Sequence, residues 1–406
     1  MAQKLFISFF ILLYSSGLFS QEIKKDLKQV KLQIKTLSSE DMEGRRAGST
    51  GAKLAQYYIV DELNSMSIPP FGKAYLNTFQ FNDVNTKTDS AGSNLKWASN
   101  IAGFVDNGKE RSIVIGAHYD HLGWGVHPSS RSTAENPLHY GADDNASGVI
   151  AAMHIAKQLQ ENNTIENFNY ILVFFSAEEI GLLGSKAWLK EWGNQLDIAA
   201  MINLDMVGRM KERKVQLYGV GTSPSWPIFQ KTLSNTIQWE IDSSGMGPSD
   251  HASFYLDSIP AIHFFTGQHE DYHKESDTYE KINYVGLLDL KDAIYNSLML
   301  LNENEAFQFT ATVNKNTKNR PKLRVTMGIM PSYLSNNDGL AIDGVIDGKP
   351  AQRALLKKDD IIIQIESIKI NDIYDYMEAL SNYDVGDEVT VKVIRKGEIH
   401  ALKLKF

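Results

Sequence analysis

Short apolar runs alternate with longer amphipathic stretches from residue 21 to about residue 305. Runs rich in β-branched and aromatic residues predict strands, whereas apolar residues at helical spacing predict helices. The predicted strands are Ser112–Ala117, Tyr170–Phe175, Ala199–Leu204 and Ala261–Phe265, and the predicted helices include Ala52–Met66, Ala146–Gln160, Pro227–Ile237 and Val285–Leu301. This alternation is typical of an α/β domain in which helices cover a central sheet.

A second, smaller unit follows this region. Residues 307–322 lose the periodicity and become rich in Thr, Asn and Lys, which indicates a linker. A β-rich unit then covers 323–406. The chain of 406 residues exceeds the usual ~100–200 residues per domain, so a main domain over 21–306 with a smaller companion is expected.

The first twenty residues have the pattern of a cleavable export signal. Lys4 precedes an apolar run from Leu5 to Tyr14, and small residues follow it. A membrane-spanning helix needs ~20 apolar residues, and this run is about half as long. We therefore expect residues 1–20 to be removed, and the protein to be periplasmic or extracellular with no stable membrane span.

Composition narrows the possible partners and ligands. The formal net charge of -8 disfavours nucleic acid as a partner, because phosphate binding requires clustered Lys and Arg. The sequence contains no cysteine, which excludes disulfides, thiolate ligands and a cysteine nucleophile. Any bound metal must therefore use His, Asp and Glu.

Potential metal ligands follow all four predicted strands: His118 with Asp120, Glu178 with Glu179, Asp205, and, a little beyond the last strand, His273. A further acidic pair, Asp143 and Asp144, lies in the loop before the Ala146–Gln160 helix. Ligand sites of such sheets form outside the carboxyl ends of the strands. The sequence therefore predicts that these five segments meet at one edge of the sheet.

The residue types point to a pair of divalent cations. Two neighbouring ions need a carboxylate that bridges them, and Asp144 is the candidate. Such ions can share one water, lower its pKa and polarise a scissile carbonyl together. We assign Glu178 as the general base and Glu179 as a ligand. Asp120 is placed to accept the second imidazole N–H of His118 and so fix its tautomer.

The local sequences resemble the co-catalytic zinc metallopeptidases of family 28, the leucyl-aminopeptidase-like group. The resemblance rests on segments 118–123 (HYDHLG), 141–148 (GADDNASG), 175–185 (FSAEEIGLLGS), 203–209 (NLDMVGR) and 271–278 (DYHKESDT), with 42–49 (MEGRRAGS) upstream. It implies the zinc-exopeptidase fold, an α/β architecture with a mixed central β-sheet flanked by helices. It also implies one zinc ion held by Asp144, Glu179 and His273, and a second held by His118, Asp144 and Asp205. Tyr272 is expected to support the oxyanion.

Other polar residues of this region receive less direct roles. Asp143 is expected to cap a helix or support the site rather than bind metal. Within Ser249–His251 a supporting role near the site is expected. Structural or surface roles are assigned to the remaining histidines His121, His127, His139, His263 and His269.

The C-terminal unit resembles the PDZ domains of bacterial proteases in segments 327–330 (MGIM), 344–346 (GVI), 349–351 (KPA) and 360–365 (DIIIQI). The resemblance implies that it binds a peptide or protein C-terminus by strand addition. A unit that only packs on or shields the peptidase is the alternative. Leu355 and Asp359 stand where relatives usually have glycine, which leaves the geometry of these two turns open.

The preferred function is an exported aminopeptidase that removes N-terminal residues with a metal-bridged water and Glu178 as general base. Two Zn²⁺ ions are the expected cofactors, although such sites also accept other divalent metals. The alternatives are a carboxypeptidase or dipeptidase, a glutaminyl cyclase, which uses one zinc, and a non-catalytic peptide-binding protein. The presence of both His118 and Asp205 favours two ions, and the presence of Glu178 favours an enzyme.

Overall fold

The computed structural model describes residues 24–83, 94–125, 127, 129–162, 164, 166–227, 237–301, 307–312, 324–331, 339–345, 348–371 and 373–406. The predicted signal over 1–20, most of the predicted linker and most of the predicted helix Pro227–Ile237 lie outside these residues. Within the described ranges, no helix has the length and apolar character that crossing a membrane requires.

A mixed sheet of eight strands forms the centre of the larger unit, counted over the described residues. The strands of this unit are β1 (Leu76–Asn82), β2 (Leu95–Val105), β3 (Arg111–His118), β4 (Gly123–Trp124), β5 (Leu138–His139), β6 (Asn169–Phe175), β7 (Asp197–Leu204), β8 (Lys214–Tyr218), β9 (Gln238–Ile241) and β10 (Ala261–Phe265). The spatial order in the sheet is β1-β2-β6-β3-β7-β10-β8-β9, and β4 pairs separately with β5.

The middle of the sheet consists of parallel strands. β6, β3, β7 and β10 run in the same direction. β1 is antiparallel to β2, β2 to β6, and β8 to β10, whereas β8 and β9 are parallel to each other. These four parallel strands are the four that the sequence predicts, and their ends agree within two residues. Because they are parallel, their carboxyl ends meet at the same edge of the sheet.

Helices cover both faces of this sheet. They are α1 (24–37), α2 (Thr50–Ser65), α3 (Gly148–Glu161), α4 (Leu183–Trp192), α5 (His251–Leu256) and α6 (Tyr284–Leu301). Ile113 and Ile115 of β3 belong to the core shared with α1, α2, α3 and α6, whereas Val114 belongs to the core shared with α4 and α5. This alternation follows from the two-residue period of a strand, and it explains why β3 is apolar throughout.

The C-terminal unit has a sheet and a core of its own. Its elements are β11 (Ile329–Pro331), β12 (Leu340–Val345), α7 (Pro350–Arg353), β13 (Ile361–Ile365), β14 (Ile368–Lys369), α8 (Ile373–Leu380), β15 (Glu388–Arg395) and β16 (Glu398–Lys405). The strand order is β11-β12-β13-β15-β16, and β14 pairs with β13. Val391 and Val393 of β15 are fully buried in this second core.

The two turns that lack the expected glycines keep a left-handed backbone. Leu355 has a φ of 63° and Asp359 a φ of 68°. Such values cost a residue with a Cβ atom about 1 kcal/mol or more, so the surrounding contacts must hold them. Next to Asp359, the buried Asp360 accepts two hydrogen bonds from the Arg395 guanidinium, at 2.6 and 2.7 Å.

A close backbone contact joins α4 to the end of β6. Gly184 lies near the start of α4, and its carbonyl oxygen accepts a hydrogen bond from the Asn100 side chain. A Cβ atom at Gly184 would lie 2.1 Å from the carbonyl oxygen of Ser176, which is backbone and cannot rotate away. Helix α4 can therefore approach β6 this closely only with glycine at this position.

We expect Gly184→Ala to lower the free energy of unfolding by about 1–3 kcal/mol, because the backbone must shift to admit the methyl group. Urea unfolding of the purified protein measures this. Gly103→Ala is the matched control, since the atoms nearest to its Cβ would be side-chain methyl groups of Ile68 and Leu63, at 3.0 Å or more, and a side chain can move. Equal losses for both variants would contradict a tight contact between α4 and β6.

Candidate metal centre

The predicted ligands meet at the carboxyl edge of the parallel strands. His118 is the last residue of β3, Asp205 follows β7 directly, and Glu179 lies just beyond β6. Asp144 belongs to the turn Ala142–Ser147 before α3, and His273 to the segment between β10 and α6. Five distant parts of the chain thus contribute one ligand-type side chain each.

The side chains form two groups that share one carboxylate. His118 Nε2 lies 3.2 Å from Asp144 Oδ1 and 3.3 Å from Asp205 Oδ1. His273 Nε2 lies 3.1 Å from Asp144 Oδ2 and 3.2 Å from Glu179 Oε2. Each oxygen of Asp144 therefore faces a different histidine, which is the arrangement that a bridging ligand requires.

The backbone of these turns is unusual. Ala177, Met206 and His273 have positive φ values of 59°, 52° and 56° although none is glycine. Each such residue costs about 1–3 kcal/mol, and such residues concentrate at functional sites. The peptide bond between Asp144 and Asn145 is cis.

The donor set fits divalent cations. Ligand atoms that surround one tetrahedral zinc ion lie about 3.3 Å apart. The four contacts of the two groups are 3.1–3.3 Å long. Ligand atoms of His118, Asp144 and Asp205 also lie within 4.8 Å of one another. Imidazole and carboxylate together suit zinc and related divalent metals.

Charge is compensated within the site. Burial opposes ionisation of Asp144, but His121, His118 and His273 hold the pKa of that carboxyl well below its usual range. Burial likewise opposes ionisation of Glu179, yet His273 and His121 lower its pKa to about 2. Contacts with these histidines thus offset part of the cost of burying the two carboxylates.

Asp120 contacts His118 in a different way from the one predicted. His118 Nδ1 lies 3.1 Å from the backbone carbonyl oxygen of Asp120 and 3.9 Å from its carboxylate. The carbonyl oxygen rather than the carboxylate therefore accepts the imidazole N–H. The carboxylate instead accepts the backbone N–H of Glu178 at 3.1 Å, and burial raises the pKa of Asp120 to about 7.

Tyr272 lies against the ligand histidine that follows it. Its ring stacks on the His273 ring with the centroids 3.7 Å apart. Burial, followed by the negative charges of Asp144 and Glu179, raises the pKa of Tyr272 well above its usual value. The phenol therefore stays protonated at neutral pH and keeps a hydrogen-bond donor.

Arg45 joins the loops that carry the ligands. Its guanidinium is fully buried and donates to the carbonyl oxygens of Leu37, Tyr119, Tyr140 and Gly141, at 2.6–2.8 Å. Burial lowers the pKa of Arg45 to about 10, which leaves it charged at neutral pH. The segments before Asp120 and before Asp144 are thus fixed to the same side chain.

Asp277 is a second residue that sequence reasoning missed. Its Oδ2 accepts the backbone N–H groups of Asp143 and Asp144 at 2.9 and 3.1 Å, and so orients the Asp144 turn. The side chain of Asp143 accepts from Gly208 N and contacts His269, which agrees with its predicted supporting role. Only the match of the 271–278 segment could have marked Asp277 in the sequence.

A polar chain behind the site fixes Asp205. Ser249 Oγ donates to Asp205 Oδ2 at 2.7 Å and accepts from Asn203 Nδ2 at 2.7 Å. Asn203 also contacts His263, whose ring stacks on that of His251 with the centroids 4.6 Å apart. The supporting role predicted within Ser249–His251 therefore rests on Ser249, and the two histidines are buried structural residues.

The remaining histidines divide into two kinds. His127 contacts Ser129, and His139 contacts Ser130 and the carbonyl oxygen of Gly123, as structural residues do. The assignment of His121 to a structural or surface role needs correction, because its Nδ1 lies 2.6 Å from Glu179 Oε1. Its position three residues after His118 gave no periodic signal that pointed to the site.

Comparison with known proteins gives matches for both units. The sequence model described as peptidase family M28 matches residues 100–298, and that of a PDZ domain matches residues 325–406. Leupeptin-inactivating enzyme 1 of Streptomyces exfoliatus is 23% identical over 338 residues, which cover 75% of this chain and 69% of that protein. Other curated aminopeptidases match over shorter stretches, so that this chain spans 39–53% of their length.

Solved structures share the fold of the larger unit. A zinc aminopeptidase from Bacillus subtilis superposes with a TM-score of 0.55 at 17% identity, covering 71% of this chain and 98% of that one. A glutaminyl cyclase from Bacteroides thetaiotaomicron, bound to N-acetylhistamine, gives a TM-score of 0.53 at 19% identity, covering 69% of this chain and 98% of that one. The mixed sheet with flanking helices is thus common to proteins of more than one activity.

We expect Arg45→Met to lower the free energy of unfolding by at least about 3 kcal/mol, because four buried carbonyl oxygens lose their donor at ~1 kcal/mol or more each. Zinc binding should weaken as well, since the two ligand loops lose their common anchor. Urea unfolding and competition with a zinc-chelating dye measure the two effects. Arg46→Met is the control, because its partner Asp83 keeps Lys96 at 2.8 Å. Similar losses for both variants would contradict the role of Arg45.

We expect His251 to make the protein sensitive to acid. Burial lowers the pKa of His251 from 6.5 to about 3, so between these values only the unfolded chain takes up the proton. Stability is therefore lost as the pH falls below 6.5. In His251→Leu, the loss of unfolding free energy between pH 7 and pH 5 should shrink by about 2 kcal/mol. Urea unfolding at both pH values tests this, and Phe254→Leu, which should change stability equally at both, controls for lost packing.

Proposed function

This chain belongs to peptidase family M28 and carries a C-terminal PDZ domain. We infer that it is a zinc-dependent aminopeptidase. Its substrates are peptides, from which it removes N-terminal residues by hydrolysis. The observation that carries this proposal is the pair of donor groups that share Asp144. The Glu178 carboxyl interacts electrostatically with His118 and Asp205 of one group and with Glu179 of the other.

Two zinc ions are assigned to these groups. One would be held by His118, Asp144 and Asp205, and the other by Asp144, Glu179 and His273. Zinc bound there supplies Lewis acidity, which polarises the scissile carbonyl and lowers the pKa of the attacking water. Ser249 and Asp277 keep Asp205 and the Asp144 turn in the orientation that this requires.

Glu178 is assigned as the general base. Within the described residues, no hydrogen bond or ion pair engages its carboxylate, whereas Glu179 contacts His121 and His273. Burial raises the pKa of Glu178 well above its usual value, against the opposing effect of His118. A carboxylate with a raised pKa holds a proton more firmly, as a base that takes a proton from water and passes it to the leaving amine must.

Two further features support this direction of cleavage and this chemistry. The excess of carboxylates around the two groups favours a cationic substrate group, such as the free α-amine of a peptide. The neutral phenol of Tyr272, stacked on His273, can donate a hydrogen bond to the oxyanion that forms from the scissile carbonyl. Asp120, through its bond to Glu178 N, positions the backbone that carries the base.

A glutaminyl cyclase is the second candidate, because a cyclase shares this fold. The complete second group of His118, Asp144 and Asp205 favours two ions, whereas cyclisation uses one. Carboxypeptidase or dipeptidase action on the same scaffold would require a positive group for the substrate carboxylate, and the site is dominated by acids. A non-catalytic binding protein would not need a free carboxylate such as Glu178.

The PDZ domain is assigned to bind the C-terminal end of a peptide or protein. Gly328, with a φ of 75°, precedes the short strand β11 and belongs to the loop that would face a terminal carboxylate. The predicted export signal places the enzyme in the periplasm or outside the cell. Peptides of that compartment are then its substrates.

We expect Glu178→Gln to lower kcat about 10²–10⁴-fold while the protein retains its zinc, because the amide cannot accept the proton. Glu179→Gln is the matched control at the neighbouring position, and it should lose zinc as well as activity. Aminoacyl reporter peptides, with and without chelator, measure activity, and elemental analysis measures zinc. A Glu178→Gln enzyme with unchanged kcat would contradict the assignment of the base.

Reporter peptides with a free or a blocked N-terminus, and with a C-terminal reporter, test the direction of cleavage. The proposal predicts rapid cleavage of the free peptide alone. Equal cleavage of the blocked peptide would rule out an aminopeptidase. A single tightly bound ion together with release of ammonia from an N-terminal glutamine would identify a cyclase.

A further inference from the structure

His121 lies within the site, although no proposed step uses it. Its imidazole is fully buried, with Nδ1 2.6 Å from Glu179 Oε1 and 3.7 Å from Asp144 Oδ2. Its ring also meets the His273 ring edge to face, with the centroids 5.7 Å apart. A buried polar ring in contact with two proposed ligands and close to a third is placed to act on the cation site.

The backbone around His121 provides the space for this ring. Gly141 has a φ of 59°, and a Cβ atom there would lie 2.6 Å from His121 Cδ2 and 2.7 Å from Cγ. The Arg45 guanidinium donates to the carbonyl oxygen of Gly141. The carbonyl oxygen of Arg45 accepts the backbone N–H of His121 at 3.3 Å. Glycine at position 141 therefore leaves room for the ring, and Arg45 contacts the backbone of both Gly141 and His121.

The distances separate two roles that His121 could have. Ligand atoms of one zinc ion lie about 3.3 Å apart, as the contacts of His273 Nε2 do. The 2.6 Å contact between His121 Nδ1 and Glu179 Oε1 is too short for two ligands of one ion, and has the length of a charge-assisted hydrogen bond. Nδ1 then donates to Oε1, and Oε2, 3.2 Å from His273 Nε2, remains for the cation.

We propose that His121 is a positioning residue that binds Glu179 Oε1 and so presents Oε2 alone to the cation held with Asp144 and His273. This proposal rests on the zinc ligands of the proposed function, and it adds a determinant of affinity for one ion of the pair. Without the imidazole donor, Glu179 is free to rotate or to bind through both oxygens. The affinity for that ion should fall, and the other ion should be affected less.

The test uses the full-length protein, stripped of metal and titrated with zinc against a competing chelating dye. We expect the wild type to bind two ions and His121→Ala to bind one of them 10–100-fold more weakly, which is the usual effect of losing a partner of a metal ligand. His121→Asn should stay within about three-fold of the wild type, because its amide N–H can take the place of Nδ1–H.

His154→Asn is the matched control. His154 is also a buried histidine with one 2.7 Å contact, to Gln33 Oε1, but it lies in α3 away from the ligands. Its substitution should leave both zinc affinities unchanged. Thermal melting of each stripped variant checks that His121→Ala is folded, and the comparison with His121→Asn holds even where the alanine variant is less stable.

The outcomes are distinct. Unchanged zinc affinity in His121→Ala would overturn the proposal while leaving the proposed function intact. If His121→Asn were as weak as His121→Ala, and both altered the visible spectrum of the cobalt-loaded protein, His121 would be a ligand and not a positioning residue. A wild type that binds only one ion would contradict the two-zinc function, and the His121 variants would still show whether that ion depends on the imidazole. A wild type that binds none would overturn both.

Discussion

Repulsion between buried carboxylates is the constraint around which the larger unit is organised. Asp144, Glu179, Glu178 and Asp205 lie close together at one edge of the sheet, where removal from water makes like charges costly. Imidazoles, backbone N–H groups and a buried guanidinium surround them and offset part of this cost. The negative charge that these groups do not balance is expected to attract divalent cations, because a bound cation would compensate it.

The sheet determines where the carboxylate side chains meet, and hydrogen bonds determine how each of them is oriented. Parallel strands bring His118 and Asp205 to the same edge, and the turns beyond them use left-handed backbone to direct the other ligands inward. Each proposed carboxylate ligand is then fixed by a different partner: Ser249 for Asp205 and His121 for Glu179, with Asp277 fixing the turn of Asp144. The orientation of the proposed ligands thus depends on residues outside the proposed ligand set.

The sequence predicted the central strands, and the meeting of the ligand-type side chains at their edge, better than it predicted the surroundings. The central parallel strands are continuous apolar runs, which predict buried strands. The His, Asp and Glu residues that follow them, such as His118, predict a metal site at the strand ends. The antiparallel edge strands were not predicted, because β1 alternates between exposed and partly buried residues and lacks such a run. Asp277 and His121 act through contacts with residues 133 and 58 positions away, which depend on turns that local pattern does not determine.

Arg45 precedes the stretch that matches peptidase family M28, yet it holds two of the loops on which that stretch depends. The N-terminal segment is therefore bound to the loops that carry the proposed ligands. Transfer of the matched stretch alone into another protein would leave Tyr119 and Gly141 without their anchor. A recombination between relatives that preserves the site must therefore keep residues 37–45 together with the matched stretch. This segment should be inherited with the site and not with the residues that precede it.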